Sequence, residues 1–133
     1  MEVALSTTLN TTFDDAVTRT RQALSEHGFG VLTEIDMKAT LKTKIGADME
    51  DYLILGACNP SLAHRAVGVD RQIGLLLPCN VVVRTDTSTQ NTIVVEAMNP
   101  EVMVAVTEEP GLRGVAADAT TQLQAAIDSL NAR

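Results

Sequence analysis

Six consecutive polar residues, Asp86-Thr87-Ser88-Thr89-Gln90-Asn91, separate the apolar run Val81-Val82-Val83 from a second run over Thr92 to Met98. Two extended runs joined by so short a polar loop fold back on each other as a hairpin, and hairpin strands are antiparallel. That hairpin constrains the whole chain. Ahead of it, strand-like and helix-like stretches alternate, an order that alone would suit a parallel sheet. With an antiparallel pair in the same chain, the reading is α+β: one mostly antiparallel sheet, with helices packed mainly on one face.

Caps and stops place the helices. Thr12, followed by Phe13-Asp14-Asp15, reads as a variant of the capping box with acid in the first turn. Phe13, Val17, Thr20 and Leu24 then recur at helical spacing beside Ala16 and Ala23, and Gly28 supplies the stop. Asp36 caps a short helix over Met37–Ile45, ended by Gly46, with Lys38 and Lys42 on its polar side. Asn59-Pro60 opens a further helix, since asparagine accepts from free amides and proline fixes the first helical φ; that helix holds Leu62, Ala63, Ala66 and Val67 and fades at Gly68. Asn99-Pro100 repeats the device and launches a short helix through Val106. The last helix runs from about Leu112 to Asn131, with Leu112, Val115, Ala119, Leu123, Ala126, Ile127 and Leu130 in one apolar stripe.

Strands fall between these helices: residues 2–9 with Val3, Leu5 and Thr7 on one face, Phe29–Ile35, Tyr52–Ala57, and the two arms of the hairpin. The predicted order is β-α-β-α-β-α-β-β-α-α. At 133 residues, with no linker, repeat or low-complexity segment, the chain reads as one domain, 1–133.

Composition removes several function classes. Aromatic residues are 2% of the chain and the net charge is −7. Single-strand nucleic-acid binders stack bases on aromatic rings and track phosphates with Lys and Arg, so nucleic acid is not expected as a partner. No apolar run approaches the roughly 18 residues of a membrane span. The start Met1-Glu2-Val3-Ala4 has neither a basic region nor a long apolar one, so no signal peptide is expected. Two cysteines in such a chain point to reduced thiols and a cytoplasmic location.

Chemistry-bearing residues concentrate between Gly56 and Asn80. Both cysteines lie there, each followed by asparagine, as Cys58-Asn59 and Cys79-Asn80, and His64 lies between them. Cys58 immediately precedes a helix cap, where free backbone amides and the positive end of the helix dipole favour a thiolate. Equally, a residue before the cap packs onto the fourth helical residue, here Ala63, and free cysteine often acts as a small buried hydrophobe. Cys79, after Pro78 at the entrance to an apolar strand, reads as a core residue, unless the two strands are neighbours and the thiols meet. His64 is a candidate proton shuttle for Cys58 or a surface histidine beside Arg65. Asn59 is a cap or a ligand-binding amide; Asn80 satisfies a nearby backbone group or binds ligand. Lys42, with Lys38 and Lys44, is a candidate anion contact on an otherwise solvated face. Zinc ligands usually come in pairs two to four residues apart, and Cys58, His64 and Cys79 form no such pair, so no metal is expected. The chain has no phosphate-binding glycine loop, serine nucleophile elbow or C-x-x-C, and no cofactor is expected.

Four stretches in order resemble the prokaryotic domain-of-unknown-function family 302. They are Phe29-Gly30-Val31-Leu32-Thr33-Glu34-Ile35-Asp36, Ala39-Thr40-Leu41-Lys42, Ile54-Leu55-Gly56-Ala57-Cys58-Asn59-Pro60, and Ile73-Gly74-Leu75-Leu76-Leu77-Pro78-Cys79-Asn80-Val81-Val82-Val83. The resemblance covers about residues 5 to 130. It implies a compact α+β domain with a single curved sheet, and a homodimer. Its motif positions are Lys42, Cys58, Asn59, Pro60, Pro78, Cys79 and Asn80, and it implies no activity. Gly68 departs from the pattern, where a better helix former is usual.

Three readings follow. In the first, the chain is a dimeric binding module whose pocket, edged by Cys58-Asn59 and Cys79-Asn80, holds a small polar or anionic ligand. In the second, it is a thiol-dependent redox or sulfur-transfer enzyme, with Cys58 as nucleophile, Cys79 as resolving thiol and His64 as proton shuttle. In the third, the segment is only core and dimer interface.

Overall fold

The computed structural model describes residues 2–132. Its elements are β1 (Ala4–Leu9), α1 (Phe13–Glu26), β2 (Gly30–Asp36), α2 (Met37–Ile45), β3 (Tyr52–Cys58), α3 (Pro60–Val69), β4 (Cys79–Thr85), β5 (Ile93–Met98), α4 (Glu101–Thr107) and α5 (Arg113–Ser129). Short 3₁₀ turns cover Arg71–Leu76, Pro110–Leu112 and Leu130–Ala132. The order is the one the sequence predicts, and the class is α+β. One open five-stranded sheet has the strand order β1-β5-β4-β3-β2, and every neighbouring pair is antiparallel. The alternation at the front therefore builds no parallel pair: α1 carries the chain from one edge of the sheet to the other, so β1 and β2 never meet.

Three of the capping residues act as their types dictate, whereas at α4 the cap position falls on Pro100 with no side-chain bond, and Asn99 Oδ1 instead accepts from the Glu101 amide at 3.0 Å. Thr12 Oγ1 accepts from the Asp15 amide at 3.1 Å, Asp36 Oδ1 from Ala39 at 2.9 Å, and Asn59 Oδ1 from Leu62 at 3.2 Å. Each satisfies one of the amides a helix start leaves free. Gly28 and Gly46 sit at φ +87° and +68°, the left-handed region that stops α1 and α2. One strand start also differs from expectation. Val3 lies outside β1 and is exposed, because pairing with β5 begins at Ala4. The apolar stretch before Pro78 is a 3₁₀ turn, which Asp70 opens by accepting from the Gln72 amide at 2.9 Å.

Registers place Leu53, Leu55 and Ala57 of β3, Val81 and Val83 of β4, and Ile93, Val95 and Ala97 of β5 on one face. All are buried, against Ala16, Ala23 and Leu24 of α1 and Leu123, Ala126 and Ile127 of α5. A second core is built from Leu62 and Ala66 of α3, Ile73, Met103 of α4, and Leu112, Val115, Ala116 and Ala119. It lies off the end of the sheet where β3 and β5 finish and β4 starts, since Met98, the last residue of β5, packs into it. The N-terminal half of α5 lies in the second core and its C-terminal half in the first.

Candidate functional site

The seam between the two cores holds a cavity of about 30 Å³. The first core contributes Phe29 and Ala57; the second contributes Leu62, Ala66, Met103, Val115 and Ala119. Cys79, also buried, completes the floor. The rim is half-buried and consists of Cys58, Asn59, Ala63, Leu77 and Pro78. Small alanines at 57, 63, 66 and 119 line the gap, where larger side chains would fill it.

Strand pairing brings the two thiols to this point. Ala57 pairs directly with Cys79, so Cys58 is one residue along the neighbouring strand from Cys79's partner. Opposed Cα atoms in an antiparallel pair are about 5 Å apart and a strand rises about 3.3 Å per residue, which puts the two cysteine Cα atoms about 6 Å apart. Alternation would turn Cys58 to the other face of the sheet. β3 ends there, however, and the chain turns into α3 over the sheet's end, so Cys58 reaches the cavity at its rim. Both thiols are free. Burial, and then the nearby negative charge of an ionised Cys58, push the Cys79 thiol up to about 11. Cys79 is therefore a neutral thiol at physiological pH.

Asn59 lines the cavity, and each end of its amide already has a protein partner. Its oxygen caps α3, and its Nδ2 donates to Gln122 Oε1 of α5 at 2.8 Å. The remaining predicted polar residues are placed elsewhere. Asn80 pairs with Gly56, is exposed, and does not line the cavity; one position past Cys79, it takes the other face of the sheet by strand alternation. His64 is exposed on α3, outside the cavity lining, while its neighbours Leu62, Ala63 and Ala66 face inward. Lys42 is exposed on α2, paired with Asp48 at 2.8 Å. It does not line the cavity. The expected pocket edge of two Cys-Asn elements thus reduces to Cys58, Asn59 and Cys79. No polar or anionic site unites Asn59, Asn80 and Lys42.

Phe29, Leu77, Met103 and Gln122 are the contributors that sequence reasoning did not select. Phe29 opens a strand that it did place, and Leu77 stands just before Pro78. Met103 and Gln122 carry no spacing signal that ties them to the cysteines. Among the described residues no group of three or more His, Cys, Asp or Glu side chains is placed to hold a metal ion. No helix among them is long and apolar enough to cross a membrane.

Comparison with curated proteins gives no match. Among solved structures, the chain is similar to the crystal structure of an uncharacterized conserved protein DUF302 from Bacillus stearothermophilus. The two are 28% identical, with a TM-score of 0.87 over 96% of this chain and 98% of the other. The family model described as domain of unknown function DUF302 matches residues 5–130. The fold, the placement of the motifs and the span of that match agree, and the chain belongs to the DUF302 family.

Proposed function

We propose that the chain is a dimeric binding module of the cytoplasm whose ligand seats in the cavity between Cys58 and Cys79. One observation carries this reading: the only two thiols of the chain, on neighbouring strands, line the same gap between the two cores. Native interiors have few voids larger than a water, so a gap at the motif residues is a candidate site. Its size selects the ligand. Pockets for drug-sized molecules run from about 300 Å³ upward, whereas this one takes about two water-sized groups. Its lining selects further: hydrocarbon and sulfur face it, and its one amide is already engaged, so a small soft or apolar group fits better than an anion.

The thiol-enzyme reading is weaker on the same geometry. A resolving cysteine attacks as the thiolate, and burial keeps Cys79 protonated. His64, the expected shuttle, is outside the cavity. The dimer rests on the sheet face opposite α1 and α5, where exposed Ile35 and half-buried Ile54, Val82 and Tyr52 lie beside the buried Val94. Strand residues of that face carry only two charges, Arg84 and Glu96, paired at 2.8 Å. In a chain of net charge −7, a neutral, partly apolar face is where two copies approach with least repulsion.

A thermal-shift screen tests the ligand reading, using wild type and Ala63→Leu, which fills the cavity from its half-buried rim. The expected result is a small soft or apolar compound that raises the melting temperature of wild type and not of Ala63→Leu. A compound that shifts both equally binds elsewhere, and no shift from any such compound, soft metal ions included, overturns the reading.

A further inference from the structure

We propose that the cavity is a site for a soft monovalent metal ion of the copper(I) class, held by the Cys58 and Cys79 thiolates and completed by the Met103 thioether. The proposal rests on the reading that this cavity is the binding site, and it names the ligand. Three sulfur-bearing side chains line one gap of about 30 Å³, a volume suited to an ion and far below that of a metabolite. Cys58 is half-buried at the rim, while Cys79 and Met103 are 6% and 2% exposed at the floor. An ion meeting Cys58 first is then drawn to two sulfurs shielded from water.

The donor set excludes the commoner metals. Calcium and magnesium require six or more oxygen ligands, and the lining offers no free carboxylate or carbonyl-bearing side chain, since the Asn59 amide is committed to Leu62 and Gln122. Structural zinc takes four Cys or His ligands in a tetrahedron, and the lining supplies only two, His64 being outside it. Thiolate and thioether together select copper(I), which accepts two or three donors. As each Cu–S bond to cysteine forms, that thiol releases its proton to solvent. The thioether lends a lone pair, and the ion keeps its oxidation state. Two thiolates and one monovalent ion leave one net negative charge, next to the N-terminal end of α3, whose dipole is positive there.

The test is anaerobic competition for copper(I) between the apo protein and the colorimetric chelator bicinchoninate. Wild type is expected to withdraw one ion per chain. Cys58→Ser and Cys79→Ser should each weaken retention strongly. Met103→Leu, a volume-conserving change that keeps the core filled, should weaken it at least roughly tenfold, the loss that even a supporting residue of a metal site brings. Should Cys79→Ser fail to fold, Met103→Leu and Cys58→Ser decide the matter. Wild type that leaves all the copper on the chelator overturns the proposal, as does Met103→Leu that binds as tightly as wild type. A soft organic compound that shifts wild type but not Ala63→Leu, with no copper withdrawn, would refute the metal and leave the cavity reading standing. Failure of both refutes both.

Discussion

Nδ2 of Asn59 donates to Oε1 of Gln122 at 2.8 Å while Oδ1 of the same amide caps α3, so one side chain fixes the helix start and ties it to the middle of α5. The two functions are separable. Asn59→Asp keeps an oxygen for the cap but loses the donor and sets a carboxylate against the Gln122 oxygen. Asn59→Ala loses both functions. The cap alone is worth about 1 kcal/mol, and a half-buried amide left without its partner costs a similar amount. Asn59→Ala is expected to lose about 2 kcal/mol, and Asn59→Asp less. Urea midpoints at unchanged m-value measure the difference.

Gly28 lies over that same pair. A methyl group added there would come within 3.1 Å of Asn59 Nδ2 and 3.3 Å of Gln122 Oε1, at φ +87°. Gly46 has a similar φ, +68°, with nothing within 4 Å. Placing alanine in the left-handed region costs about 1 kcal/mol at either site. The expected order is Gly28→Ala more destabilising than Gly46→Ala, with the excess coming from the displaced amide pair. Equal losses would mean that the pair gives way freely.

These two glycines also show what the sequence discloses. A helix stop is a local matter: Gly28 and Gly46 were readable because φ is set by one residue, and Thr12, Asp36 and Asn59 because a cap bonds within three residues. The stripe of α5 was readable for the same reason, and Leu112, Val115, Ala119, Leu123, Ala126, Ile127 and Leu130 are all buried. The strand order was not. β1 pairs with β5, Leu5 with Ala97, across about ninety residues, and no local signal encodes such a partner. The site divides along the same line. Cys58 and Asn59 were found from their place before a helix, but Met103 enters the cavity through the packing of α4. Asn80 looked like a twin of Asn59 because both follow cysteine. It differs because Cys79 begins a strand where Cys58 ends one, and alternation sends Asn80 to the opposite face.

The sheet face opposite α1 and α5 offers a separate prediction. Val82 stands in mid-sheet between Ile54 and Glu96. Val82→Asp puts a new carboxylate beside Glu96 in the proposed dimer interface. Wild type should sediment at twice 14.2 kDa and Val82→Asp at the single-chain mass, with the circular dichroism of both alike. A variant that remains dimeric would place the interface elsewhere. A wild type that sediments as one chain would remove the dimer altogether.

Cys79 predicts how stability changes with pH. The ordinary thiol value of 9.0 rises in the folded chain to about 11, first through burial and then through the charge of Cys58. The folded state therefore holds the proton more tightly than the unfolded state. That preference contributes in full below pH 9 and is lost as pH rises to about 11. Two units correspond to about 2 to 3 kcal/mol. Denaturant unfolding at pH 8, 9, 10 and 11 should show wild type losing roughly that much more stability than Cys79→Val, whose buried side chain has no proton to release. At pH 8, iodoacetamide should label Cys58 in the native protein and reach Cys79 only on unfolding, since the reactive species is the thiolate. Parallel pH profiles for the two proteins, or rapid native labelling of Cys79, would mean that the thiol is open to water and that the floor of the cavity is not sealed.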